Sequence, residues 1–138
     1  MVSALFDART PERKSLAVLS WPRILECEVF LSNVVAEELR AAPQPLREKM
    51  LEATSGFTVL SNTLESRSLA QKYIQQNIFP AKYFDDALHV AVASVNRIEI
   101  LLSWNFAHMV KIKTRRLVAL LNTAENYAPV EIISPPEL

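Results

Sequence analysis

The sequence predicts an α/β domain of three layers, with helices on both faces of a short, mostly parallel sheet. Three observations predict it. Short apolar runs of strand character alternate with helical segments, the rhythm that crossover connections impose on parallel strands. Half of the 138 residues are apolar, which suits one globular core and a single domain over residues 1–138. Finally, the stretch Phe84-Asp85-Asp86-Ala87-Leu88-His89-Val90-Ala91-Val92-Ala93 is apolar on nearly every side beyond its first turn. That is the pattern of a helix buried all round.

The elements follow in order. Met1 to Phe6 is short, apolar and strand-like. Thr10-Pro11-Glu12 starts a helix with a capping hydroxyl, a proline at the first helical position and an acid in the first turn. Ala17, Val18, Trp21, Ile24 and Leu25 recur at helical spacing, and Pro22 is expected to kink or break that helix. Glu28 to Leu31 reads as a brief strand. Ser32 caps a helix to about Ala42, stopped by Pro43 and Pro45. Leu46 to Ala53 forms a second short helix, and Phe57 to Leu60 a strand. Asn62-Thr63-Leu64-Glu65 has capping-box spacing, with asparagine as the cap, and opens a helix to about Gln76. The buried helix follows Pro80. Ile98 to Leu102 is the clearest strand of the chain. A basic helix runs from about Thr114 to Asn126, and Val130 to Ile133 closes as a strand before Pro135-Pro136.

Composition narrows the function. Net charge is zero, so a nucleic-acid partner has to be read locally. Cys27 is the single cysteine; it gives neither a disulfide framework nor zinc-finger spacing and fits a reducing, cytoplasmic setting. No apolar run approaches a membrane span, and a secretory leader is not expected. Gly56 is the only glycine, which excludes a P-loop and a dinucleotide fingerprint and leaves Ser–His–Asp chemistry without a glycine-flanked elbow.

Polar function in parallel sheets gathers beyond the carboxyl ends of the strands, here just after Leu31, Leu60, Leu102 and Ile133. Glu38 follows Val34 and Val35 by four and three positions. It lies along the core-facing stripe or at its edge, reaching water. Asp86 precedes His89, Val90 and Ala93 at helical spacing, which favours a buried role. Asp85, a third of a turn away, reads as an exposed first-turn acid favoured by the helix dipole. His89 is a metal ligand or a hydrogen-bonded core residue. Asn105 follows the clearest strand and can donate and accept, but carries no charge. Asp7 is the only acid near the first strand-like segment; an ordinary loop aspartate is its simpler reading. Acids from separate elements, without cysteine or paired histidine, suit a hard cation such as Mg2+ or Mn2+. Such an ion can serve phosphodiester cleavage. Lys111, Lys113, Arg115 and Arg116 crowd four cations into six positions. They form either a solvated helix face or a track for a phosphate backbone.

Three segments resemble the PIN domain family, the metal-dependent ribonuclease fold of many VapC-type toxins of toxin–antitoxin systems. Ser32-Asn33-Val34-Val35-Ala36-Glu37-Glu38-Leu39 is similar to the helix holding the family's second acid. Tyr83-Phe84-Asp85-Asp86-Ala87-Leu88-His89-Val90-Ala91 is similar to the helix holding the third. Leu101-Leu102-Ser103-Trp104-Asn105-Phe106 is similar to the strand end where many members have a threonine and a further aspartate. The resemblance places metal-holding acids at Glu38 and Asp86, and puts Asn105 where it would orient water or a metal-bound ligand. It also departs from the family. No Asp-Thr or Asp-Ser pair closes a first strand, because Asp7 is followed by Ala8. The chain is expected to lack roughly the first dozen residues of a standard domain. The resemblance thus implies an endoribonuclease of toxin type using Mg2+ or Mn2+, impaired by its missing acids. Its implied partners are RNA, an antitoxin protein and further copies of the chain. The alternative is a non-catalytic PIN remnant that binds protein or RNA, or dimerises through the apolar helices around Trp21 and Leu46 to Leu51.

Overall fold

The computed structural model describes residues 9–138. The strand-like expectation over Met1 to Phe6, and Asp7 with it, lies outside them. The described residues form a mixed α/β fold. Its elements are α1 (Pro11–Leu25), β1 (Phe30–Ser32), α2 (Asn33–Ala41), α3 (Leu46–Ala53), β2 (Thr58–Leu60), α4 (Leu64–Gln75), α5 (Phe84–Val95), β3 (Ile100–Leu102), α6 (Ile112–Ala124) and β4 (Glu131–Ile133). Single 3-10 turns stand at Ala81–Tyr83 and Pro135–Glu137. Two compact units result: one ends at Leu60 and takes in Pro135–Leu138, the other is Ser61–Ser134. Among the described residues, no helix is long and apolar enough to cross a membrane.

In the first unit, Pro11 opens α1, and the Lys14 N–H closes the first turn on the Thr10 carbonyl at 3.0 Å. The Thr10 side chain does not cap the helix. Ala17, Ser20 and Ile24 form the buried stripe, and α1 packs against the Pro135–Glu137 turn. Pro22 does not break the helix. It stands in the last turn, where it removes the N–H that would reach the Val18 carbonyl, and the helix continues to Leu25. The chain then tightens, with Glu26 and Cys27 donating to the Arg23 and Ile24 carbonyls three residues back. Strands β1 and β2 pair in parallel, Leu31 opposite Val59. Ser32 ends β1 and caps α2, its hydroxyl accepting from the Val35 N–H at 3.3 Å, so strand passes to helix without a loop. Leu39 and Met50 are buried where α2 meets α3, with Leu31, Val35, Ala42 and Leu46 packed around them.

The second unit is built on α4 against α5. Along α5 every residue from Ala87 to Ser94 except His89 is buried, as expected of a helix apolar all round. The capping box of α4 sits one residue later than the sequence suggests. Thr63, not Asn62, is the cap: its hydroxyl accepts from the Ser66 N–H at 3.1 Å, and the Ser66 hydroxyl accepts from the Thr63 N–H at 2.8 Å. Serine serves here where glutamate is usual, because its short side chain reaches back across one turn. Strands β3 and β4 pair in parallel, Leu101 opposite Ile132.

Helices α4, α5 and α6 end alike. Asn77, Arg97 and Asn126 have φ of 57°, 55° and 62°, and the next residues, Ile78, Ile98 and Tyr127, donate to the carbonyls of Tyr73, Ala93 and Asn122 at 2.9, 2.9 and 2.8 Å. These are Schellman closures, which satisfy helix-end carbonyls and favour glycine at the left-handed residue. Here asparagine and arginine take that conformation instead.

A polar network joins the same three helices. The Tyr73 hydroxyl donates to Asn122 Oδ1 and lies 3.2 Å from the Ser94 hydroxyl, which accepts from Asn122 Nδ2 at 2.8 Å and donates to the Val90 carbonyl at 2.8 Å. All three side chains are buried, so each polar atom is satisfied without water. Burial pushes the Tyr73 hydroxyl up to about 12, against the opposing pull of its bonds to Ser94 and Asn122. The unfolded chain therefore loses this proton first as pH rises. The contribution is intact below about pH 10, and about 2–3 kcal/mol of stability is lost between about pH 10 and pH 12. Urea midpoints followed over that range should fall more steeply for the parent than for Tyr73→Phe; parallel slopes would sink the expectation.

Candidate functional site

The segment after β3 is where the chemistry-bearing residues meet. The Ser103 N–H donates to the Ile133 carbonyl at 3.0 Å, one step past the β3–β4 ladder. The Ser103 hydroxyl then accepts from the Asn105 N–H at 3.0 Å, and the Asn105 carbonyl accepts from Met109 and Val110 N–H at 3.1 and 2.9 Å. Met109 and Val110 are buried, which anchors this tight turn.

Asn105 reaches from that turn to α5. Its Nδ2 donates to Asp86 Oδ2 at 3.0 Å, and its Oδ1 accepts from the His108 N–H at 3.0 Å. Asp86 is half-buried in the first turn of α5, where the helix dipole favours a carboxylate. The structure therefore brings Asp86 and Asn105 together. One N–H of the amide holds the Asp86 carboxylate, and its oxygen holds the His108 backbone. An aspartate could not donate this bond. The His108 ring stacks on Tyr83, centroids 3.9 Å apart at 31°, tying the turn to the start of α5 a second time. Sequence reasoning missed this pair, because nothing local links a residue before one helix to a residue in a later loop.

The other candidates fall as follows. Asp85 is exposed, as its first-turn role requires. His89 is half-buried one turn after Asp86. Glu38 belongs to the first unit and is exposed, so it reaches water rather than following the core-facing stripe. Ala36 and Leu39 are the buried residues of α2, and they centre that stripe away from Val34 and Glu38. The basic helix begins at Ile112, two residues before the expected Thr114. Lys111, Lys113 and Arg116 are exposed, while Arg115 is half-buried and its Nε donates to the Val110 carbonyl. The four cations are thus three solvent-facing groups and one tied to the backbone.

Asp86 Oδ2 is engaged by Asn105, and Oδ1 is engaged by no described residue. An oxygen donor of this kind suits a hard cation. Among the described residues, no group of three or more His, Cys, Asp or Glu side chains gathers at one point. An aromatic pair completes the turn: Trp104 and Phe106, centroids 6.3 Å apart, with Phe106 53% exposed. Comparison with family models, with curated proteins and with solved structures finds no match to this chain.

Proposed function

We propose that the chain is a PIN-like endoribonuclease of toxin type that depends on Mg2+ or Mn2+. The observation that carries this reading is the half-buried Asp86 carboxylate, held by the Asn105 amide at the carboxyl end of a parallel strand. Mg2+ is commonly held by one or two carboxylates together with waters and substrate phosphates. Asp86 would supply such a carboxylate. A bound ion would neutralise phosphodiester charge and acidify a water. The remaining work belongs to this chain's own residues. Asn105 fixes the carboxylate, Lys111, Lys113 and Arg116 attract an RNA backbone, and the exposed Phe106 ring offers a base a stacking face.

The test is a titration of chelator-treated protein with Mg2+ or Mn2+ against single-stranded RNA. Cleavage that rises with the metal and stops on chelation is expected; none at millimolar metal would overturn the reading. Asn105→Asp adds a variant with a predictable sign. A second carboxylate beside Asp86 raises local negative charge, which a divalent cation relieves. Mn2+ affinity measured by calorimetry should tighten roughly tenfold, and an unchanged affinity would count against a metal at Asp86.

A second reading is favoured by α1, where Leu16 and Leu19 are both exposed on one side of the helix. In a non-catalytic PIN remnant, that face would take an antitoxin-like protein or a second copy of the chain. Absent cleavage together with concentration-dependent dimerisation would favour this reading.

A further inference from the structure

We propose that the amino end of α6 and the cavity beside it form a subsite for one phosphate group. The cavity lies within the second unit, measures about 340 Å3, and has Asn77, Pro80, Lys111, Lys113 and Thr114 in its wall. No carboxylate lines it. Helix α6 is 13 residues long, has no acid in its first turn, and has Lys111 at its cap position without a side-chain cap. The first-turn amides of Ile112, Lys113 and Thr114 consequently have no intrahelical acceptor. They carry the positive end of the helix dipole, which is suited to an anion.

Thr114 supplies the independent observation. It is 1% exposed, and its hydroxyl oxygen is buried without a hydrogen-bond partner. A helical threonine ordinarily relieves this by donating to the carbonyl four residues back. For Thr114, the third residue of α6, that carbonyl belongs to Val110, which precedes the cap residue Lys111 and lies outside the helix. A buried hydroxyl left unpaired is costly, and in this wall a phosphate oxygen is the acceptor that would satisfy it. The neighbouring lysines supply the counter-charge, and both are exposed and so able to close over a ligand.

This subsite does not rest on the nuclease reading. A phosphate group arrives within an RNA backbone or as a free monoester, and two probes separate those sources. The experiment titrates the 15N-labelled full chain, with chelator present throughout, with inorganic phosphate, then uridine monophosphate, then hexauridylate. Saturable shifts centred on the Ile112, Lys113 and Thr114 amides are expected. Thr114→Val should weaken phosphate binding about fivefold, and Lys111→Gln with Lys113→Gln more than about tenfold, while Thr114→Ser keeps parental affinity. Tighter binding of hexauridylate at the same amides assigns the subsite to a nucleic-acid backbone, and equal binding of the two uridylates assigns it to a monoester. Shifts that never saturate, that miss the first turn of α6, or that survive the Thr114→Val and paired lysine substitutions overturn the proposal. Because no metal is present, failure of metal-dependent cleavage leaves these outcomes unaffected.

Discussion

Asn122→Ala is expected to destabilise the protein by about 3–4 kcal/mol, the sum of a cavity and of two lost buried hydrogen bonds. Asn122 is 1% exposed, receives the Tyr73 hydroxyl and donates to the Ser94 hydroxyl. Its loss removes a partner from each of two buried groups on two other helices. Tyr73→Phe should cost less, about 1–2 kcal/mol, because the ring stays and only one partner is orphaned. The Tyr73 ring also packs beside Phe79, centroids 6.1 Å apart, a contact that phenylalanine retains. Urea unfolding of both variants decides the matter. An Asn122→Ala loss below about 1 kcal/mol would mean the network is not held as described.

Asp86→Asn is expected to lower metal-dependent RNA cleavage by a hundredfold or more, since it removes the carboxylate offered to the ion. The fold should survive, because an asparagine carbonyl can still accept from the Asn105 amide. Melting therefore separates a chemical loss from a structural one. Asp85→Asn is the control: Asp85 is exposed on the same helical turn, and its loss should change cleavage less than about threefold. Equal losses at the two positions, or none at either, would remove Asp86 from the proposed chemistry.

What was legible in the sequence was local. The Ser32 cap, the helix over Leu46 to Ala53 and the burial of α5 beyond its first turn, His89 apart, all follow from short-range pattern and hold in the structure. Parallel pairing was legible too, because apolar strands of this length separated by helices have few other options. The misses have physical reasons. Pro22 is expected to kink or break its helix, and the helix runs through it unbroken to Leu25. The capping box slipped by one residue because Asn62 and Thr63 are both competent caps. For Glu38 the sequence leaves two positions open, along the core-facing stripe or at its edge; the buried face of α2 is chosen by α3, through Leu39 and Met50, and leaves Glu38 in water. The Tyr73–Ser94–Asn122 network spans 49 residues, and no periodicity announces it. At the candidate site the sequence singled out Asp86 and Asn105 separately. Their hydrogen bond joins two elements that only tertiary structure brings into register.

The three left-handed helix ends of the second unit carry a consequence for the denatured ensemble. Glycine is the residue that forfeits most backbone freedom on ordering, and this chain has one. With Asn77, Arg97 and Asn126 in its place, each turn is harder to bend but has fewer disordered arrangements to give up. The entropy of collapse at these junctions is met partly in advance, in the unfolded polymer, rather than entirely by contacts in the native one.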